Sequence, residues 1–183
     1  MIEWNVGCTR CPELVKSRRR ITWGYGNPLL STMFIGEAPG QNGCDITGIP
    51  FTRDPSGEFF QSMLAEVQWT KEDIYTTNVV KCCPPGNRDP SIEEVENCHI
   101  YLQYEITKVN PHWIVLMGKF AMQCFFPQFT SVISKWNKYF TLPDYPGREF
   151  FIIPHPAYIT RNMKLKEDYI QSFRMIRLLS SPT

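Results

Sequence analysis

The chain has 183 residues, of which 43% are hydrophobic, and a formal net charge of +1 at pH 7. This length can bury a substantial core, so we expect residues 1–183 to form a single domain. The near-neutral charge excludes a generally basic protein, so any contact with nucleic acid must rest on a local patch.

Strand-like and helix-like segments alternate along the chain. We predict strands at Thr32–Ile35, Ile74–Val80, Trp113–Met117 and Phe150–Ile153. We predict helices at about Pro55–Val67, Ser91–Val109, Lys119–Phe126 and Lys164–Leu179. Strands separated by helices indicate an α/β fold with three layers, α/β/α, around a central, mostly parallel, four-stranded sheet.

Three loops follow predicted strands and contain unusual residues. They are Gly36–Gly40 after the first strand, Lys81–Pro90 after the second, and His155-Pro156 after the last. In α/β sheets, ligands bind at the carboxyl ends of the strands. These loops therefore predict the position of the functional site.

Ser91 and Glu94 form a predicted capping box that marks the start of the helix after the second loop.

Four cysteines form a pattern typical of a metal centre. Cys8 and Cys11 are a Cys-x-x-Cys pair, and Cys82 and Cys98 follow far downstream. Four thiolates suit either a tetrahedral zinc ion or an iron–sulfur cluster, and the spacing does not separate the two. Either centre would tie the N-terminal segment to the middle of the chain.

Cysteine usage also bears on the cellular compartment. The chain has seven cysteines, opens Met-Ile-Glu-Trp-Asn without a hydrophobic signal segment, and has no apolar run long enough to span a bilayer. We therefore expect a cytoplasmic protein that does not associate with a membrane. In a reducing compartment, metal ligation explains the cysteines better than disulfides do.

Together these segments resemble the family 4 uracil-DNA glycosylases, the iron–sulfur class of the uracil-DNA glycosylase superfamily. The matching segments occur in the family's order from residue 8 to residue 161. They are Cys8–Pro12, Phe34–Gly40, Gly48–Phe51, Thr77–Cys82, Pro84-Pro85, Asn87–Pro90, Cys98, Met117-Gly118 and His155–Arg161. The resemblance implies a monomeric enzyme that hydrolyses the N-glycosidic bond of uracil in single- or double-stranded DNA, leaving an abasic site for base excision repair.

The resemblance also implies a cofactor, a 4Fe-4S cluster with a structural role. Its expected ligands are Cys8, Cys11, Cys82 and Cys98. Cys83 competes with Cys82, but the family places this ligand directly after a lysine and two positions before the proline pair, which favours Cys82. We interpret Cys44 and Cys124 as residues that fill space.

Base recognition is expected from two residues and one loop. The family's Gly-x-Pro-Phe motif places Phe51 as the aromatic platform under the base, although a phenylalanine is more often a core residue. Asn78 can accept from uracil N3–H and donate to O4, whereas cytosine presents the reverse pattern. Its alternative role is to bond its own backbone at the strand end. Gly36 and Gly40 let backbone N–H groups approach the base closely.

Three residues are candidates for the chemistry. His155 is the expected donor to the charge that develops on the leaving uracil. Asp45 is the candidate for orienting water, but the segment around it is one residue longer than the family's pattern and lacks an acidic pair. Glu37 is a second candidate carboxylate near the pocket, and its alternative role is to pin its own loop.

Contacts with the DNA backbone are expected from residues beside these motifs. Arg88 and Arg161 are basic, Ser56 lies at a predicted helix start, and Tyr158 belongs to a tract resembling the family's minor-groove loop. The basic run Lys16–Arg20 is interpreted as a solvated face.

Three alternatives to uracil excision are considered. The segment Gln41–Ser56 departs from the family's pattern, which leaves room for a glycosylase of another deaminated or modified base. A non-catalytic DNA-binding protein would keep Phe51 and Asn78 but lack water activation. A zinc-stabilised interaction protein is the third alternative.

Overall fold

The computed structural model of the chain describes residues 7–29 and 31–180. The ends of the expected domain, including the opening Met-Ile-Glu-Trp-Asn, lie outside the described residues. The strands are β1 (Tyr25–Gly26), β2 (Thr32–Gly36), β3 (Tyr75–Asn78), β4 (Trp113–Met117), β5 (Lys138–Phe140) and β6 (Glu149–Ile153). The α-helices are α1 (Pro12–Ser17), α2 (Cys44–Thr47), α3 (Pro55–Glu66), α4 (Ile92–Val109), α5 (Lys119–Phe125), α6 (Pro156–Thr160) and α7 (Lys166–Ser180).

The described strands form one six-stranded sheet in the order β1-β3-β2-β4-β6-β5. Its inner strands β3, β2, β4 and β6 are parallel, and they are the strands predicted from the sequence. β1 and β5 pair antiparallel at the two edges. The predicted count of four strands is therefore too low. The two edge strands have only two and three residues, which is too short to show a period-two pattern.

Helices cover both faces of the sheet. Met33 and Ile35 of β2 pack in one apolar cluster with residues of α4 and α5, whereas Phe34 packs in a second cluster with residues of α3 and α7. Successive side chains of a strand point to opposite faces, so one strand contributes to both clusters. Because both faces are buried, the inner strands contain nearly continuous apolar residues.

Helix starts follow local capping chemistry. The predicted capping box of α4 is confirmed: the Glu94 N–H donates to Ser91 Oγ at 3.1 Å, and the Ser91 N–H donates to Glu94 Oε2 at 2.8 Å. Helix α7 begins at Lys166, two residues later than predicted, because Met163–Leu165 forms a separate 3₁₀ turn. No helix in the described ranges is long and apolar enough to cross a membrane.

Candidate active site

A cleft of about 500 Å³ lies at the carboxyl ends of β2, β3 and β6. Its walls come from the loops that follow these strands and from the start of α3. Nine of the residues predicted for the site line it: Glu37, Gly40, Phe51, Ser56, Asn78, Arg88, His155, Tyr158 and Arg161. The fold thus gathers residues that are up to 124 positions apart in the sequence, counted from Glu37 to Arg161.

Phe51 has a strained backbone held by its neighbours. Its φ angle is +55°, a left-handed conformation that costs a non-glycine residue roughly 1–3 kcal/mol. The Gln61 side chain donates to the Phe51 carbonyl at 3.0 Å, and Lys71 donates to the preceding carbonyl of Pro50. The Phe51 ring lies 4.6 Å, centroid to centroid, from the Phe60 ring in the core. These contacts hold Phe51 in place at the wall of the cleft.

Asn78 ends β3 directly beside Gly36, its register partner in β2. A side chain at position 36 would lie 2.6 Å from Asn78 Oδ1 and 2.6 Å from the Phe51 ring. A glycine is therefore required between the amide and the aromatic ring. Gly36 does not line the cleft itself, but its missing side chain leaves space for Asn78 and Phe51, which do.

His155 is the N-cap of α6, and its Nδ1 atom accepts the Ala157 N–H at 3.2 Å. A ring nitrogen that accepts a hydrogen bond carries no proton, so the proton of the neutral ring is on Nε2. The pKa of His155 is lowered to about 4, mainly by burial; the Asp54 charge opposes this shift and the Arg161 charge adds to it. The imidazole is therefore a neutral donor at pH 7.

The two predicted carboxylates lie in different environments. Glu37 lines the cleft, and burial, with a smaller effect of the Asp89 charge, raises its pKa to about 7. Asp45 does not line the cleft, contrary to the prediction. Its oxygens accept the Arg19 N–H at 3.0 and 3.2 Å. The longer segment forms the short helix α2, whose first turn contains Asp45 and directs the carboxylate to Arg19.

Asp54 is a third carboxylate, which the sequence analysis missed. It lines the cleft and caps α3, where Oδ1 accepts the Gly57 N–H at 2.7 Å and the Ser56 hydroxyl at 3.0 Å. A side chain at Gly40 would lie 2.7 Å from its Oδ2. The Asp-Pro dipeptide at positions 54 and 55 is a recognisable helix start and could have identified this residue.

The residues predicted to contact DNA surround the mouth of the cleft. Tyr158 is 38% exposed, and Arg161 is exposed beside it. The Arg88 guanidinium is already paired with Glu94, with N···O distances of 2.8 and 2.7 Å. Ser56 lies in the first turn of α3, whose N-terminus opens on the cleft.

Hydrogen-bond donors lie beside the predicted ligand cysteines. Arg18 donates to Cys82 at 3.1 Å and the Lys81 N–H to Cys98 at 3.5 Å. A contact with Cys8 raises the pKa of the Tyr101 hydroxyl, and a contact with the Asn97 side chain opposes the raised pKa that burial gives Cys11. Donors of this kind surround thiolates in metal centres. The run Lys16–Arg20 was interpreted as a solvated face. Arg18 departs from this interpretation, because it contacts Cys82.

The same cysteines are electrostatic neighbours. Burial is the main cause of the raised pKa values of Cys11 and Cys98, and the other cysteines of the set raise both further. The Cys83 thiol instead donates to the Pro84 carbonyl at 3.5 Å. The donor set thus suits a thiolate-bound cluster on Cys82 better than on Cys83. No arrangement of three or more His, Cys, Asp or Glu residues that could hold a single metal ion occurs in the described part of the chain.

Comparisons with known proteins agree with this geometry. The family model of the Uracil DNA glycosylase superfamily matches residues 23–175. A type-4 uracil-DNA glycosylase of Archaeoglobus fulgidus is 36% identical over 177 residues, which cover 93% of this chain and 87% of the relative. Type-4 enzymes of Thermotoga maritima (36%, covering 85% and 79%) and Saccharolobus solfataricus (33%, covering 93% and 80%) are similar.

The chain therefore belongs to the uracil DNA glycosylase superfamily, whose model matches most of its length. Within this superfamily the chain belongs to the type-4 uracil-DNA glycosylases, since three relatives of that family share 33–36% of its residues over most of its length. The family expected from the sequence motifs is confirmed.

Proposed function

We propose that the chain is a monofunctional uracil-DNA glycosylase that hydrolyses the N-glycosidic bond of uracil in DNA and leaves an abasic site with an intact backbone. The observation that carries this proposal is the convergence of Phe51, Asn78 and a neutral His155 on one cleft. The relatives named above, type-4 uracil-DNA glycosylases, support the choice of uracil.

In this proposal the base is recognised by stacking and by one amide. Extrusion of a base from the duplex costs a few kcal/mol, and stacking of the base on Phe51 offsets roughly 1–3 kcal/mol of this cost. The Asn78 amide accepts from uracil N3–H and donates to O4. Cytosine would leave both amide atoms unpaired in a buried site, at a cost of about 1–3 kcal/mol for each.

His155 acts on the leaving base. As the glycosidic bond breaks, negative charge develops on uracil O2, and the Nε2–H of His155 is a neutral donor for it. Backbone N–H groups of the Gly36–Gly40 loop add to this stabilisation. Such preorganised donors are among the strongest contributions to catalysis, because they need no reorganisation during the reaction.

Glu37 is the best-placed carboxylate for activating water. A general base is most effective when its pKa is near the working pH, and burial holds the pKa of Glu37 at about 7. Asp45 faces Arg19 instead. Asp54 also lines the cleft, but both of its Oδ1 contacts serve to cap α3.

DNA contact is assigned to the rim of the cleft. The N-terminus of α3 at Ser56 is suited to a phosphate, because free N–H groups and the helix dipole favour an anion there. Arg161 contacts the DNA backbone, and Tyr158 fills the gap left by the extruded base. Arg88 is 41% exposed and uses only some of its five N–H donors on Glu94 and Asp89, so it can contact a phosphate beside that ion pair.

A 4Fe-4S cluster is held by Cys8, Cys11, Cys82 and Cys98 in this proposal. The cluster supplies a covalent crosslink rather than reaction chemistry. It joins the segment before α1 to the loop after β3 and to α4, so it stabilises the wall of the cleft. The monomeric state implied by the family resemblance stays a prediction. The cytoplasmic location expected from the sequence stays a prediction.

The test is incubation with 5′-labelled single- and double-stranded oligonucleotides that contain one uracil, followed by alkali. Cleavage only after alkali is the expected result, because a monofunctional enzyme leaves the backbone intact. A parallel panel with cytosine, hypoxanthine and oxidised pyrimidines separates uracil excision from excision of other bases. Binding of the uracil oligonucleotide without any alkali-labile product would instead indicate a non-catalytic binder.

A further inference from the structure

A buried ion pair lies beneath the loop that follows β3. Lys81 Nζ is 2.6 Å from Glu105 Oε2, and the two side chains are 1% and 0% exposed. The other ammonium hydrogens go to the Thr77 hydroxyl at 2.7 Å and to the main-chain carbonyl of Asn78 at 2.6 Å. All three donors of the ammonium group are therefore used inside the protein.

The carboxylate of Glu105 is equally well satisfied. Its Oε1 accepts the Gly24 N–H at 2.8 Å, and its Oε2 also accepts the Thr77 hydroxyl at 2.6 Å. Replacing a buried ion pair by neutral residues of similar volume is often neutral or stabilising, because desolvation of the two charges offsets their attraction. Stability alone therefore does not account for this pair.

The pair contacts the site at one point, the carbonyl of Asn78. Asn78 is the last residue of β3, and the next two N–H groups, of Val79 and Val80, donate to the carbonyls of Gly36 and Glu37 at 2.9 Å each. The Lys81 ammonium closes the turn by donating to the Asn78 carbonyl. The main-chain orientation at Asn78 determines how its amide enters the cleft.

The same contacts reach the cysteine set. Glu105 lies seven residues after Cys98 in α4, about two helical turns along the same face. The Lys81 N–H donates to Cys98 Sγ, and Lys81 directly precedes Cys82. A short chain of contacts thus runs from two proposed cluster ligands to the amide proposed to read the base.

We propose that Lys81 and Glu105 are positioning residues that act through Asn78 and hold its amide in register with the uracil edge. This inference rests on the proposed function. Loss of the pair lets the end of β3 turn, and a displacement of about 1 Å at a reacting site can cost about 100-fold in rate. The amide itself is kept, so a smaller loss of about 10-fold is expected.

The test is a double-mutant cycle on the single-turnover rate of uracil excision. Lys81→Met/Glu105→Gln removes both charges. The glutamine amide keeps an oxygen that can accept the Gly24 N–H and an NH₂ group that can donate to the Thr77 hydroxyl. We expect a loss of about 10-fold in the wild-type background and less than about 2-fold in the Asn78→Ala background, because residues that act through one another are not additive. Affinity for an abasic-analogue duplex should not change.

Tyr75→Phe is the matched control, since its hydroxyl lies 3.5 Å from Glu105 Oε1 and does not contact Asn78. It should retain the wild-type rate. Equal losses in both backgrounds, or no loss in the wild-type background, would overturn the inference. If the double variant does not fold, Glu105→Gln alone in the same two backgrounds removes the ion pair with little change of shape and gives the comparison. An inactive wild-type protein would instead refute the proposed function, and the inference with it.

Discussion

Because the imidazole of His155 is neutral in the folded protein, we predict that the free energy of unfolding depends on pH. This dependence can be measured without an activity assay. In the unfolded chain a histidine has a pKa near 6.5, whereas burial lowers the pKa of His155 in the folded protein to about 4. Above pH 6.5 both states are neutral. Between pH 6.5 and 4 the unfolded chain takes up a proton that the folded protein does not, so stability falls as the pH decreases.

The magnitude follows from the difference between the two pKa values. Each unit corresponds to about 1.4 kcal/mol, so the loss attributable to His155 is on the order of 3 kcal/mol. Comparison with His155→Asn isolates this contribution of His155 to the pH dependence, since asparagine can also cap α6 but does not titrate. Urea unfolding followed by tryptophan fluorescence, at intervals from pH 8 to pH 4, gives the two curves. Wild type should lose about 3 kcal/mol more than the variant, and parallel curves would refute a buried neutral imidazole.

Three further predictions concern the remaining groups. The single-turnover rate should rise with pH up to about 7 as Glu37 ionises, and Glu37→Gln should abolish this rise; a rise that persists in the variant would contradict the assignment. Cys82→Ser should lower both the iron content and the melting temperature of the anaerobically purified protein, whereas Cys83→Ser should change neither. The reverse result would make Cys83, and not Cys82, the cluster ligand. Asn78→Asp should weaken uracil excision and relatively favour cytosine, because burial promotes a protonated acid that can donate to cytosine N3. Unchanged uracil activity would contradict the role of Asn78 in base recognition.

Most of the fold could be predicted from the sequence because the inner strands are buried on both faces. The strand Trp113–Met117 was predicted with its observed bounds, since five apolar residues end at a glycine. The start of α4 was equally clear, because Ser91 and Glu94 determine it through local hydrogen bonds. Strands β1 and β5 could not be predicted, because such short edge strands depend on their partners.

The position of a candidate residue in the cleft could be predicted where its motif sits at the end of a strand, as for Asn78 and His155. Asp45 was misplaced because its orientation depends on the helix α2 and on a contact with Arg19, twenty-six residues earlier in the chain. The Lys81–Glu105 pair was missed for a related reason. A lysine and a glutamate on separate elements show no sequence signal of burial, and only the folded chain brings them within 2.6 Å.

The most direct test of the account is the single-turnover rate of His155→Ala on a uracil oligonucleotide, measured beside DNA affinity by fluorescence anisotropy. His155 is proposed to act on the transition state, so its loss should lower the rate by about 100–1000-fold and leave affinity within about 2-fold. Asp45→Ala is the matched carboxylate control and should retain most of the rate, because Asp45 faces Arg19. A normal rate in His155→Ala would contradict the proposed mechanism.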